Sequence, residues 1–157
     1  MVQLPGTAAV ISVSPFQTAV SQSNQLRNLI LRYKEALLGQ VQQTAACNAL
    51  HSLEARLARW LLQTLDRADG AELRLTQDFM AQMLAVRRPT VTVIASKLQY
   101  AGLIRYRRGL LQVLDRSRLE ETACECYRTI RRRTDAVFDA RHLGRPDSVA
   151  RASVVTL

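Results

Sequence analysis

The sequence predicts a mainly α chain with a small β wing, in which a long helix is followed by a helix–turn–helix closed by a hairpin. Three observations predict it. From Thr18 to about Cys47 there is no proline, and Leu26, Leu29, Ile30, Tyr33, Leu37, Leu38 and Val41 recur at spacings of three and four. That is the period of an amphipathic helix, here about 40 Å long. Over 75–114 the period changes from helical to two short β-type runs, 104–107 and 110–114, around Arg108-Gly109. Charge is the third: 22 Lys and Arg against 13 Asp and Glu, net +9, with a pI of about 10.5.

In chain order, residues 1–16 carry a Pro-Gly turn and the β-formers Val10, Ile11 and Val13, so they read as a strand or two. Alone they cannot complete a sheet, which makes them an orphan edge of something larger. In the helix over 18–47, Leu26, Ile30, Tyr33 and Leu37 follow a heptad-like seam for under two heptads. That is short for a free coiled coil but enough for a dimer helix supported by domains on either side. A core helix packed within its own chain has the same pattern. The dimer is preferred because little chain precedes the helix to cover it. Gly39 marks a bend or a close crossing.

Ser52 suits the N-cap of the next helix, with Leu53, Leu57, Trp60, Leu61 and Leu65 on one side and Arg56 and Arg59 on the other. Residues 72–75 form a short strand completing a sheet with the hairpin. Thr76 caps a helix carrying Phe79, Met80, Met83 and Leu84 on one face, with Asp78 in its first turn. A break at 85–87 leads to a helix over 88–101. Pro89 sits in its first turn, where a missing N–H costs little. Val91, Ile94, Ala95 and Leu98 form its buried stripe, leaving Arg88, Thr92, Val93 and Ser96 exposed. Gly102 closes it. A last helix covers 115–138, and the polar remainder, 139–157, reads as a flexible tail.

From Phe79 to Leu114 there are six basic residues and no acidic one. Arg87 and Arg88 lead the second helix, and Arg105, Arg107 and Arg108 lie on the hairpin. A helix with a small, polar exposed face and arginines at its leading end fits a major groove, and a basic hairpin beside it can grip phosphates. A solvated face would carry the same charge. Charge together with the element order favours double-stranded DNA. Aromatic residues make up only 5% of the chain, which argues against single-strand binding by base stacking.

Other classes of function find little support. There is no phosphate-cradling glycine loop, GxSxG, HExxH or CxxC, so no enzyme is expected. No apolar run reaches the ~18 residues of a membrane span, and the N-terminus lacks a signal peptide's basic region. Three cysteines in no framework spacing point to reduced thiols and a cytoplasmic protein. Cys124 and Cys126 read as too close and too isolated for a four-ligand zinc site. Cys47 and His51, four apart on a helix, could share a metal, but a packed thiol and a helix-end histidine are preferred. No metal and no cofactor are expected.

The segments EARLARWLLQTLDR at 54–67, LTQDFMAQMLAVRRPTVTVIASKLQYAGLIRYRRG at 75–109 and LEETACECY at 119–127 resemble the Crp/Fnr superfamily of bacterial transcription regulators. The resemblance is specific over about 52–127. It implies a three-part organisation: 1–17 as the remnant of a sensor β-roll, 18–47 as the dimerisation helix, and 48–138 as a winged helix–turn–helix. It also implies roles. Thr76, Gln77, Arg87 and Thr90 fall at phosphate-contacting positions, and Arg88 at that of an arginine reading guanine. Pro89 stands where many members carry a base-reading glutamate, and Val93 where some carry a second arginine. The base sequence read should therefore differ from the best-known operators. About 17 residues precede the dimer helix where a full member has a whole sensor domain, so no effector can be assigned, and the orphan strand favours a fragment of a longer regulator. The expectation is a homodimer reading a near-palindrome through residues 88–101. RNA polymerase would be a further partner if the protein activates transcription. Competing expectations are a sensor-less dimerisation partner that titrates full-length relatives, and a non-specific basic DNA binder.

Overall fold

The helix expected over 18–47 is divided in the computed structural model. Helix α1 runs Val13–Gln22 and α2 runs Asn24–Leu50. Ser23 separates them with extended backbone (φ −123°, ψ 108°). Its N–H still bonds Ala19 O, and its Oγ accepts from Leu26 N–H at 3.2 Å, so one residue ends α1 and caps α2. Val13, expected to be a strand former, instead begins α1, with Pro15 in its first turn, where proline is compatible with a helix, and the Pro-Gly turn expected at 5–6 lies outside the described residues. Strand β1 (Thr7–Val10) pairs antiparallel with Ser153–Thr156, in register from Thr7 opposite Thr156 to Val10 opposite Ser153. Those four C-terminal residues were expected to be tail. The structure describes residues 7–68, 70, 72–138 and 153–156, so the reading of 139–152 as tail lies outside the described residues.

The chain divides into two units, one of them Gln43–Thr129, against the 48–138 expected. In this unit α3 (Leu53–Leu65) starts from Ser52, whose Oγ accepts from Ala55 N–H at 3.3 Å. Leu57, Leu61 and Leu62 are fully buried, and the Trp60 ring lies 6.1 Å from that of Phe79. The two arginines expected on the solvent face of α3 are not free there. Arg59 is 4% exposed and donates to Gln63 Oε1 at 2.7 Å, while Arg56 donates to Leu84 O at 2.6 Å. Period alone places a guanidinium on a face, but a long side chain reaches back across a neighbouring helix.

Strand β2 (Glu72–Arg74) precedes α4 (Gln77–Leu84) and α5 (Arg88–Tyr100), and the hairpin of β3 (Ile104–Arg107) and β4 (Leu110–Val113) follows. Strand β2 joins the hairpin in one sheet, as expected, and the sheet is antiparallel in the order β2-β4-β3, with Leu73 opposite Leu111 and Ile104 opposite Val113. Leu73, Ile104 and Leu111 turn inward with Met80, Val91 and Leu98 to form the core.

The single helix expected over 115–138 is two. Helix α6 (Arg116–Thr122) ends at Ala123, whose extended backbone (φ −71°, ψ 149°) turns the chain, and α7 (Cys126–Phe138) restarts three residues later. One straight helix would point Cys124 and Cys126 to nearly opposite sides. The break buries both, at 7% and 0% exposure. Asp66 fastens this corner: Arg116 donates to its Oδ1 and Tyr127 OH to its Oδ2 at 2.9 Å, while Arg116 also holds Glu120 at 3.0 Å.

In the other unit, Arg133 Nη1 donates to Gly39 O at 3.3 Å, and a Cβ at Gly39 would meet that nitrogen at 2.7 Å. Gly39 thus marks a close approach, one of the two alternatives left by the sequence. Among the described residues no helix is long and apolar enough to cross a membrane.

Candidate nucleic-acid interface

Thr76 begins the site. Its Oγ1 accepts from Phe79 N–H at 3.1 Å, which fixes the first turn of α4. The next residue, Gln77, is half-buried, and its Oε1 accepts from Thr92 Oγ1 at 2.8 Å. This bond ties the start of α4 to the second turn of α5. Thr76 and Gln77 thus stand beside α5, and Thr92 is engaged in bracing it.

The turn between α4 and α5 depends on Ala85, which adopts the left-handed conformation (φ 54°, ψ 47°). Val86 N–H then reaches back to Ala81 O at 3.0 Å. Arg87 is the exposed N-cap of α5 and makes no side-chain cap bond. Arg88, Pro89 and Thr90 follow in the first turn, all exposed. Arg88 Nε lies 3.7 Å from Asp78 Oδ1, with both side chains more than half exposed. Such a pair adds little stability. It holds the guanidinium across the mouth of the helix–turn–helix without withdrawing it from solvent.

Val91, Ala95 and Leu98 face the core, while Ile94 is only half-buried. The opposite face presents Val93 and Ser96 to solvent, as periodicity predicted. Lys97 and Tyr100 continue this face, lining a shallow groove with Thr92, Val93 and Ser96. Sequence reasoning missed these two, although the steps from 93 through 96 and 97 to 100 are the helical spacing that would have found them. Tyr100 is 98% exposed, a large aromatic left wholly in solvent.

The hairpin is braced against α5. Tyr106 N–H donates to Gln99 Oε1 at 2.7 Å, and Tyr106 OH donates to Leu75 O at 3.1 Å. Burial pushes the Tyr106 hydroxyl above the ordinary tyrosine pKa. Arg108 (φ 51°) and Gly109 (φ 78°) both take positive φ, which makes a two-residue turn matched to the strand twist. Arg105, Arg107 and Arg108 are exposed on this rigid wing.

The residues expected to form a dimer seam lie elsewhere, on α2. Tyr33 and Leu37 are 52% and 49% exposed, whereas Leu26 and Ile30 are half-buried.

A family model of the Crp-like helix–turn–helix domain matches residues 55–122. Among solved structures, a CRP/FNR family transcriptional regulator from Thermus thermophilus is 29% identical over 55% of this chain and 47% of its own, with a TM-score of 0.50. A crp/fnr family regulator from Eubacterium rectale is 24% identical over 72% of this chain and 52% of its own, with a TM-score of 0.57. FixK2 from Bradyrhizobium japonicum is 17% identical over 73% of this chain and 60% of its own, with a TM-score of 0.66. The last two show the fold alone. No curated protein matches the chain. The chain spans about half the length of the first two regulators. Over residues 55–122 the chain is similar to the Crp-like helix–turn–helix domain, and its fold is similar to that of these CRP/FNR family regulators.

Proposed function

We propose that this chain is a sequence-specific, double-stranded DNA-binding transcription regulator that acts as a homodimer on a near-palindromic site. The observation that carries the reading is the exposed face of α5 within the Crp-like domain. A shallow groove lined by Thr92, Val93, Ser96, Lys97 and Tyr100 is led by Arg87 and Arg88 and accompanied by an arginine-bearing wing. In this reading α5 enters the major groove. Arg88 donates two hydrogen bonds to guanine O6 and N7, and its loose pairing with Asp78 is exchanged for the base. Val93 offers an apolar contact suited to a thymine methyl. Thr76, Arg87 and Thr90 hold phosphates at the helix mouth, Gln77 and Thr92 brace the two helices there, and Arg107 and Arg108 hold the backbone from the wing.

The dimer rests on a separate observation. Leu31, Tyr33, Leu37, Leu38 and Val41 of α2 are each between 45% and 59% exposed. A second copy would cover them and set two α5 helices one DNA turn apart, ~34 Å. The test is selection from a randomised duplex library at near-physiological salt. The expected result is an enriched two-fold-symmetric site with half-sites about 10–10.5 base pairs apart. Salt-sensitive binding without enrichment would replace this reading with a non-specific basic binder. Enrichment only after mixing with a full-length relative would replace it with a dimerisation partner.

A further inference from the structure

All three cysteines of this chain converge on one of its two histidines. Cys47 comes from the last turn of α2 and His51 directly follows that helix, while Cys124 lies in the break between α6 and α7 and Cys126 begins α7. Their sulfur and imidazole nitrogen atoms all lie within 4.8 Å of one another. Cys47 Sγ is 3.4 Å from Cys124 Sγ, and Cys126 Sγ is 3.6 Å from His51 Nδ1. The cysteines are buried, at 0%, 7% and 0% exposure, and none is in a disulfide. Cys124 and Cys126 read as isolated in the sequence because their partners Cys47 and His51 lie 77 and 75 residues away.

We propose that Cys47, His51, Cys124 and Cys126 form a structural zinc site of the Cys3His type. Three sulfurs at about 2.3 Å and one nitrogen at about 2.0 Å from a zinc form a tetrahedron with edges of about 3.8 Å between sulfurs and about 3.5 Å between sulfur and nitrogen. The separations of 3.4 Å between Cys47 and Cys124 and 3.6 Å between Cys126 and His51 lie within about 0.4 Å of those edges. A multinuclear iron–sulfur cluster would have to place several irons and sulfides inside a set no wider than 4.8 Å, which leaves room for a single ion.

The surroundings match the same ion. His51 presents Nδ1 to the cysteines, while its Nε2 lies 3.1 Å from Glu125 Oε1. A carboxylate on the far imidazole nitrogen is what orients a metal-ligating histidine. Gln43 Nε2 donates to Cys126 Sγ at 3.1 Å, a bond suited to a sulfur bearing negative charge. Three thiolates on a divalent ion carry a net charge of −1, and the buried Arg59 guanidinium exerts its field on Cys47. No carboxylate pairs with Arg59 among the described residues; its one hydrogen bond there goes to Gln63, and its Nε has none. A negatively charged centre accounts for a buried cation without an acidic partner. The ion would pin the end of α2 to the corner where α6 turns into α7.

The test is the metal content of the full chain, purified under reducing conditions and measured by inductively coupled plasma mass spectrometry. The expected result is about one zinc per chain. Cobalt(II) added to the stripped protein should give the intense visible bands of tetrahedral thiolate coordination. Cys126→Ser should lose the bound zinc and weaken those bands. Glu125→Gln should keep the same bands while binding cobalt on the order of 10–100-fold more weakly in chelator competition. Wild-type protein with neither zinc nor cobalt bands overturns the proposal. So does a Cys47–Cys124 disulfide found by peptide mass spectrometry in freshly reduced and desalted protein, which would make the pair a redox device. Both decisive readouts use wild-type chain without DNA, so they stand apart from the regulator reading and from the folding of any variant.

Discussion

The helix–turn–helix unit and the α1–α2 segment are both helical and built from the same aliphatic residues, yet they are finished to different degrees. In the first, Ser52, Thr76 and Asp115 each cap a helix through a side-chain bond, and Leu57, Leu61, Leu73, Leu98, Ile104 and Leu111 are at most 1% exposed. In the second, α1 has no buried residue, Ser12 makes no side-chain cap bond, and Val13 is 71% exposed. Burying apolar area contributes roughly 25 cal/mol per Å². The first unit has realised that gain within itself. The second has left it for another surface to supply.

The largest expected effect breaks this contrast from the side of the core. Leu61→Ala should destabilise the chain by about 2–5 kcal/mol in urea melts, because a fully buried leucine leaves a cavity. Leu37→Glu, at a half-exposed position, should leave the far-UV spectrum intact and shift sedimentation to monomer. A dimer surviving that change would mean that α2 does not use this face. Next comes the exposed surface of the finished unit. Arg88→Ala should cost about 1–3 kcal/mol of binding to the selected site and relax preference at one base pair. Equal weakening on every duplex would make Arg88 a phosphate contact instead.

Arg107→Ala on the wing should weaken all duplexes alike and reduce the salt dependence by about one unit of slope. An unchanged slope would place the wing off the DNA. The smallest effect refines the idea of a finished unit. Ala85 holds a left-handed conformation that glycine adopts freely, so Ala85→Gly should stabilise the chain by about 0.5–1 kcal/mol. A loss of stability in thermal melts would show that the alanine methyl packs more usefully than its backbone strains.

Local chemistry made much of this legible. The core stripe of α5, the Arg108-Gly109 turn and the caps at Ser52 and Thr76 all follow from period and from residues within a few positions of one another. The misreadings share one cause. Ala123 is an ordinary residue in an otherwise periodic stretch, and Ser23, although its type suits an N-cap, lies inside an unbroken helical period that hides the break. Arg59 counted as surface because a basic residue on a helix usually is.

The sequence by itself determined the helices and strands between Leu53 and Val113, which face of α5 is bare, and that arginines lead that face, because each depends on spacing along one element. Only the tertiary structure decided that Gln77 would hold Thr92, that Tyr106 would lock the wing to Leu75, and that three cysteines and a histidine would meet at one point. Those encounters join residues 15, 31 and more than 70 positions apart. Their geometry is set by how helices pack and where α6 breaks, and no spacing rule along the chain contains it.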